Sequence, residues 1–142
     1  MAKKKVNKRT DYDAEKRDIV YYERSRIQRK MNFLILRGPG LIQKDVIEEN
    51  EAIKKFALLQ HFKVKFVQVR MENEAVDWLK DANTWAGGVV YHPGSFIDYD
   101  GEIKQTIKKI LIPVQPIPAV ESVNAETYLA ALQTLIQKLP KK

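Results

Sequence analysis

Short apolar runs and longer amphipathic stretches alternate along the chain from residue 32 onwards. Runs of strand length occur four times, at 32–37, 63–70, 87–91 and 110–115. Each is followed by a stretch in which apolar residues recur at helical spacing, covering 45–60, 74–84, 100–109 and the region after Asn124. Because strands and helices alternate, we expect an α/β fold in which at least four parallel strands form the middle of three layers.

The four predicted strands differ in how they should be buried. The run 32–37 is continuously apolar up to its last residue, which is typical of a strand covered on both faces. The run 63–70 is only partly apolar on one side, and Pro113 interrupts the fourth run. The partly apolar side of the second strand favours an edge position. Because proline cannot donate a ladder hydrogen bond, Pro113 indicates a strand end or a sheet edge for the fourth. Asn124 is a candidate N-cap for the last helix.

Composition excludes several classes of protein and site. The chain has 142 residues, of which 44% are hydrophobic and 30% charged, as expected for a single globular domain. It has no cysteine and only two histidines, so we expect no disulfide, no metal site and no thiol chemistry. No apolar run reaches the roughly 20 residues of a membrane-spanning helix, and no secretory signal is recognisable. We expect a cytoplasmic protein with no cofactor.

The net charge of +7 is concentrated at the N-terminus. Residues 1–30 contain eleven lysines and arginines against five acidic residues, whereas 31–142 contain fourteen against thirteen. We therefore divide the chain into a basic, partly helical N-terminal arm, 1–30, and a nearly neutral globular domain, 31–142. Basic residues interleaved with tyrosines can follow a phosphate backbone. The candidate nucleic-acid contacts are Lys3, Lys4, Lys5, Lys8, Arg9, Arg24, Arg26, Arg29 and Lys30.

The arm also has two simpler interpretations. A charged helix is often only a solvated surface that packs its apolar edge on its own domain or on a neighbouring subunit. An acidic protein is a further candidate partner. The RNA hypothesis, in which the protein belongs to a ribonucleoprotein such as a ribosome, stands beside these alternatives.

The segment 87–98 is where an active site is expected. It places His92, Ser95 and Asp98 after the third strand, and ligands of open α/β sheets bind at the carboxyl ends of the strands. His92 and Asp98 could form an acid–base pair, with Asp100 and Arg37 nearby. The alternative is that His92 only caps a strand end while both aspartates are solvated turn residues.

Several short motifs resemble type II 3-dehydroquinate dehydratase, a small flavodoxin-like lyase of the shikimate and quinate pathways. They lie in the family's order along the chain, over about 31–139. They are 36–41 (Leu-Arg-Gly-Pro-Gly-Leu), 74–78 (Glu-Ala-Val-Asp-Trp), 88–96 (Gly-Val-Val-Tyr-His-Pro-Gly-Ser-Phe), 112–114 (Ile-Pro-Val) and 126–132 (Glu-Thr-Tyr-Leu-Ala-Ala-Leu). The resemblance implies a flavodoxin-like three-layer sandwich and assembly as trimers grouped into dodecamers.

The family's catalytic residues have few counterparts in this chain. The mobile lid that carries the family's catalytic tyrosine and an arginine is almost absent after Gly40, which itself replaces the asparagine that steadies the enolate. By the same alignment His92 replaces the loop asparagine, and Asp98 and Met71 replace two histidines. The general-acid histidine and its glutamate align near Pro118 and Pro116, which have no acid–base side chain. The family's serine-rich carboxylate-binding signature is not recognisable.

The resemblance therefore predicts a pocket that keeps the backbone shape of the family's active site but lacks its catalytic side chains. Its expected remnant consists of Gly38, Pro39, Gly40, His92, Pro93, Gly94 and Ser95. We expect no catalytic residue and predict a non-catalytic, homo-oligomeric, trimer-based binding or structural protein, associated with RNA through its arm. The alternative is a divergent dehydratase-like lyase with a rebuilt site that uses His92, Asp98 and Arg37.

Overall fold

The computed structural model describes residues 32–98, 100–117 and 123–139. The predicted arm, including its nine candidate nucleic-acid contacts, lies outside these residues. Four strands alternate with four helices along the described chain. In order they are β1 (Asn32–Arg37), α1 (Gln43–Gln60), β2 (Lys63–Gln68), α2 (Glu72–Ala82), β3 (Gly88–His92), α3 (Glu102–Lys109), β4 (Val114–Pro116) and α4 (Ala125–Lys138).

The four strands form one parallel sheet in the order β2-β1-β3-β4. This order places the apolar strand β1 inside the sheet and leaves β2 and β4 at its two edges. The expected α/β fold with a parallel sheet of four strands is confirmed, and the order is that of the flavodoxin-like fold. Both predicted edge positions are confirmed as well.

Side chains that alternate along the strands divide the core into two layers. On one face, Leu34, Leu36, Val89 and Tyr91 pack against α2 and α3, and this face is called the α2/α3 face below. On the other, Phe33, Ile35 and Val90 pack against α1 and α4, which is called the α1/α4 face. Because both faces of β1 and β3 are covered, these strands carry continuous apolar runs.

Three of the four strands have bounds that differ from the sequence prediction. The strand β2 ends at Gln68, two residues earlier than expected. The strand β3 extends to His92, one residue further than expected, because the carbonyl of His92 accepts a hydrogen bond from the Gly38 N–H at 2.8 Å. His92 is therefore a buried strand residue and not part of the loop. The strand β4 is shorter than predicted, since it begins only after Pro113, whose carbonyl accepts from Val89 although its nitrogen has no proton to donate.

The helix ends are set by local hydrogen bonds. Asn124 caps α4 as predicted, because its side chain accepts a hydrogen bond from the Thr127 N–H. The helix α3 starts at Glu102, two residues later than predicted, since Gly101 before it has a left-handed backbone with φ of 68°. Within the described ranges, none of the helices is both long and apolar enough to cross a membrane.

Candidate ligand pocket

The register of β1 and β3 brings two polar side chains together at the carboxyl end of the sheet. Arg37 is the direct neighbour of His92 across the two parallel strands. Both side chains point to the α1/α4 face, because they continue the alternation that points Ile35 and Val90 there. The apolar layer on this face therefore ends in an arginine and a histidine, both of which are buried.

Arg37 is only 1% exposed, and each of its three guanidinium nitrogens donates to an internal partner. Its Nη1 donates to Asn50 Oδ1 at 2.8 Å, and its Nη2 donates to Glu49 Oε1 at 3.3 Å. Its Nε donates to the Tyr128 hydroxyl at 3.1 Å, and the guanidinium carbon lies 4.7 Å from the centre of the Tyr128 ring. A buried charge needs such partners, so Arg37 ties β1 to α1 and α4.

Burial changes the protonation of the two acidic groups around Arg37. Removal from water raises the pKa of the Glu49 carboxyl, although the adjacent Arg37 charge opposes that rise. Burial also raises the pKa of the Tyr128 phenol above its ordinary value of 10.0, again against the pull of Arg37. The phenol of Tyr128 therefore carries its proton at neutral pH.

His92 is held as a neutral hydrogen-bond donor. The backbone N–H of Gly94 donates to His92 Nδ1 at 2.9 Å, so the ring proton of the neutral imidazole belongs on Nε2. Burial and the nearby Arg37 charge lower the pKa of this histidine below its ordinary value of 6.5. The ring also stacks on Tyr128, with the two ring centres 6.4 Å apart.

Two glycine turns cross beside His92 and leave no room for side chains. A Cβ at Gly38 would collide with the carbonyl of Pro93, and one at Gly94 would collide with the carbonyl of Pro39. Gly94 also has a left-handed backbone, with φ of 60°. The Ser95 N–H donates to the Pro39 carbonyl at 2.9 Å, which joins the two turns. These contacts give the Gly-Pro-Gly and Pro-Gly motifs a packing role.

A cavity of about 370 Å³ opens above this cluster, between the two turns and the helices α1 and α4. It has a mixed lining in which apolar side chains and polar groups alternate. Its walls are formed by Gly40, Leu41, Ile42, Asp45, Val46, Glu49, His92, Gly94, Ser95, Val123 and Tyr128. It lies at the carboxyl ends of the strands, where the parallel sheet predicts a ligand.

The structure brings some of the predicted site residues together and separates others. Gly40, His92, Gly94 and Ser95 line the cavity, while Gly38, Pro39 and Pro93 form the crossed turns beneath it. Arg37 lies behind the cavity wall, buried among its partners.

Asp98 does not face His92. Its carboxylate accepts hydrogen bonds from the Ile103 and Lys104 N–H groups at 3.1 Å each, so it caps the start of α3. Its own N–H donates to Glu72 Oε2 at 2.6 Å, which joins the loop to α2. The expected His92–Asp98 acid–base pair is therefore not formed, because Asp98 is held by backbone groups outside the cavity.

Three residues of the site were not predicted from the sequence as site residues. They are Glu49 and Asn50 on α1 and Tyr128 on α4. The only signal was the tyrosine among the leucines of α4, since a buried phenol usually needs a polar partner. Among the described residues, no group of three or more histidine, aspartate or glutamate side chains could hold a metal ion.

Curated relatives of this chain carry a single name. The chain is 29% identical over 85 residues to the 3-dehydroquinate dehydratase of Halalkalibacterium halodurans, a match that covers 59% of each protein. It is 34% identical over 86 residues to 3-dehydroquinate dehydratase 1 of Agrobacterium fabrum, again with 59% of each covered. A match to the 3-dehydroquinate dehydratase of Rhizobium meliloti is 28% identical over 128 residues, 74% of this chain and 86% of that protein. No family model matches the chain.

Solved structures support the fold over more of the chain. A 3-dehydroquinate dehydratase-like protein from Bifidobacterium longum superposes with a TM-score of 0.66 at 19% identity, covering 78% of this chain and 98% of that one. The type II dehydroquinase from Propionibacterium acnes gives a TM-score of 0.58 at 16% identity, covering 77% and 98%. At these identities the structural likeness establishes the fold alone.

Proposed function

The chain belongs to the type II 3-dehydroquinate dehydratase family, and from this premise we propose that it binds a small polar ligand in its pocket without dehydrating 3-dehydroquinate. The observation that carries the proposal is the state of His92. Its Nδ1 lone pair accepts the Gly94 N–H, so the ring offers a hydrogen-bond donor to the cavity and no base. Tyr128 likewise keeps its proton at neutral pH, because burial raises the pKa of its phenol.

The loss of catalysis in this proposal follows from several absences acting together. The segment from Gly40 to Asp45 leads directly into α1 and contains neither tyrosine nor arginine, so it offers no counterpart of the family's catalytic lid. Removing one general acid or base typically costs about 10²–10⁴ in rate. Residues that act as a unit fail as a unit, so the joint loss should leave little activity.

The direct test is turnover of 3-dehydroquinate by the purified full-length protein, followed by formation of the conjugated product. We expect no turnover above that of the R37M and H92A variants, since no residue of the native site supplies the acid and base. Turnover that H92A abolishes, while the exposed H61N variant retains it, would overturn the proposal.

A divergent lyase with a rebuilt site is the second candidate. The observation in its favour is the buried Arg37–Tyr128 hydrogen bond, which pairs an arginine with a tyrosine as the family's lid does. The names of the curated relatives also favour it. In this alternative Tyr128 would be the base, so Y128F should abolish a measurable turnover. The raised pKa of the phenol argues against it at neutral pH.

For the arm, 1–30, we propose binding to cytoplasmic RNA through its excess of six positive charges. Self-association, trimer-based as in the family, would display several arms at once and strengthen weak contacts. Affinity for RNA should fall steeply with salt and be lost when 1–30 is deleted. RNA affinity that is unchanged by the deletion would contradict the RNA proposal. A deletion that instead changes the molecular mass in solution would show that the arm completes the oligomer.

A further inference from the structure

The charges that line the cavity have one sign. Asp45 and Glu49 lie four residues apart on α1, so both carboxylates project from the same face of the helix into the cavity wall. Among the described lining residues there is no lysine or arginine.

Two nearby positive features do not reverse this sign. Arg37 donates to Glu49 from behind the wall, so its charge and that of Glu49 largely cancel. The N-terminus of α1 also contributes a partial positive charge, on the order of half a unit. Asp45 lies in the first turn of that helix and carries a full negative charge. The sum over these groups remains negative, which disfavours a carboxylate ligand.

His92 provides an independent indication of a ligand in the same cavity. Its side chain is more than nine-tenths buried, with 8% exposed, and lines the cavity. With Nδ1 occupied by the Gly94 N–H, Nε2–H has no hydrogen-bond acceptor within the described parts of the chain. A donor buried in this way needs an acceptor, which an oxygen of a bound molecule can supply in place of water. The Ser95 hydroxyl donates its proton to the Pro39 carbonyl at 3.2 Å, so at the rim its oxygen can accept a hydrogen bond from a ligand.

We propose that the pocket binds a small polyhydroxylated amine and discriminates against the corresponding carboxylate. One hydroxyl of such a ligand can accept from His92 Nε2–H and another can donate to Ser95 Oγ. Its ammonium group matches the Asp45 carboxylate, since the charge of Glu49 is largely cancelled by Arg37. This inference rests on the proposed binding function of the pocket. It adds the charge of the ligand, which is opposite to that of 3-dehydroquinate.

The test compares three probes that share one ring and differ at a single substituent, which makes them negative, neutral or positive. They are quinate, its neutral amide, and the analogue in which an aminomethyl group replaces the carboxylate. Binding to the full-length protein is measured by calorimetry at low salt, with backbone amide shifts to locate the ligand. We expect the amine to bind on the order of tenfold more tightly than the amide, and the carboxylate to bind most weakly.

Asp45 and Glu48 provide a matched pair of variants. Both side chains are exposed and both lie near the start of α1, but only Asp45 lines the cavity. D45N should remove most of the preference for the amine, whereas E48Q should leave it in place. Because both positions are exposed, neither substitution threatens the fold.

Each outcome bears on a separate claim. A carboxylate that binds as tightly as the amine, or an equal effect of D45N and E48Q, overturns the inference about charge and leaves the non-catalytic binding function standing. No binding of any of the three probes overturns the binding function and the inference with it. Turnover of 3-dehydroquinate overturns the absence of catalysis, whatever the order of the three affinities.

Discussion

The two faces of the sheet end differently at the carboxyl edge, although their cores are equally apolar. On the α2/α3 face, the strands end in Tyr91, and the adjacent loop is closed by hydrogen bonds of Glu72 and Asp98 to backbone groups. On the α1/α4 face, they end in Arg37 and His92, which meet Glu49 and Tyr128 below an open cavity. The polar groups of the first face complete the fold, whereas His92, Glu49 and Tyr128 on the second also line the cavity.

The comparison shows why the candidate acid–base residues separate. A parallel sheet brings all carboxyl ends to one edge, but His92 points to the α1/α4 face, whereas the loop after β3 leads to α3 on the other face. Asp98 and His92 lie only six residues apart, yet one caps α3 and the other faces α4. The polar residues at the edge therefore divide into two groups, one on each face of the sheet, and substitutions can compare the two.

The largest expected effect comes from removing the buried cation. R37M leaves Glu49 buried without its partner, which should lower the free energy of unfolding by about 3–5 kcal/mol. The control is K54M, because Lys54 pairs with Glu51 at 3.5 Å where both side chains are more than half exposed. That variant should cost less than about 1 kcal/mol in chemical denaturation. Equal losses of stability in R37M and K54M would contradict a buried ion pair between Arg37 and Glu49.

Two left-handed glycines test the crossed turns. Gly94 and Gly101 have similar φ values, 60° and 68°, but a Cβ would meet the Pro39 carbonyl at Gly94 and open space at Gly101. G101A should cost about 1–2 kcal/mol from backbone strain alone. G94A should cost more, because the two turns must separate, and it should also abolish ligand binding. A loss in G94A no greater than in G101A would contradict the close approach of the turns.

The two buried tyrosines compare the faces directly. Y128F removes the hydroxyl that accepts from Arg37 Nε and should cost about 1–3 kcal/mol, because a buried donor loses its partner. Tyr91 lies on the other face, where burial raises the pKa of its phenol to about 12. Its hydroxyl has no partner of this kind in the described part of the chain, so Y91F should cost less in the same denaturation experiment. A larger loss of stability in Y91F than in Y128F would contradict the hydrogen bond between Arg37 and Tyr128 on the α1/α4 face.

The smallest expected effect is a pH dependence of stability from His92. Because its pKa is lowered in the folded state, the unfolded chain takes up a proton first as the pH falls below 6.5. The folded protein is therefore destabilised over that window, by at most about 1.4 kcal/mol per pH unit. H92N should remove this component, since asparagine does not titrate but can still accept the Gly94 N–H. Unfolding is followed from pH 7.5 to 5, with H61N as the control at an exposed histidine. If H61N alters the pH dependence of stability as much as H92N does, the pH dependence does not come from His92.

The fold could be predicted from the sequence because its signals are local. Apolar runs, helical stripes, Pro113 and Asn124 each specify an element or its end without reference to distant residues. The position of the site could be predicted from the same information, since it follows from parallel strands alone. The residues of the loop that line the cavity, such as Gly94 and Ser95, were therefore found.

The contacts between the polar side chains around the cavity could not be predicted in the same way. Arg37 and His92 become neighbours only through the register of two strands separated by more than fifty residues. Glu49 is one of three acidic residues at the start of α1, and its inward direction depends on how that helix packs on the sheet. The loop position of Asp98 says nothing of the two N–H groups of α3 that hold its carboxylate.

The protonation state of His92 is the most direct test of a pocket that binds without acid–base catalysis. It can be read from the side-chain nitrogen resonances of protein labelled with ¹⁵N-histidine at pH 7, with H61N to assign the ring. We expect a neutral ring with an unprotonated Nδ1, hydrogen-bonded to the Gly94 N–H, and a protonated Nε2. A ring that carries its proton on Nδ1, or an imidazolium at that pH, would leave His92 free to act in proton transfer and would contradict this expectation.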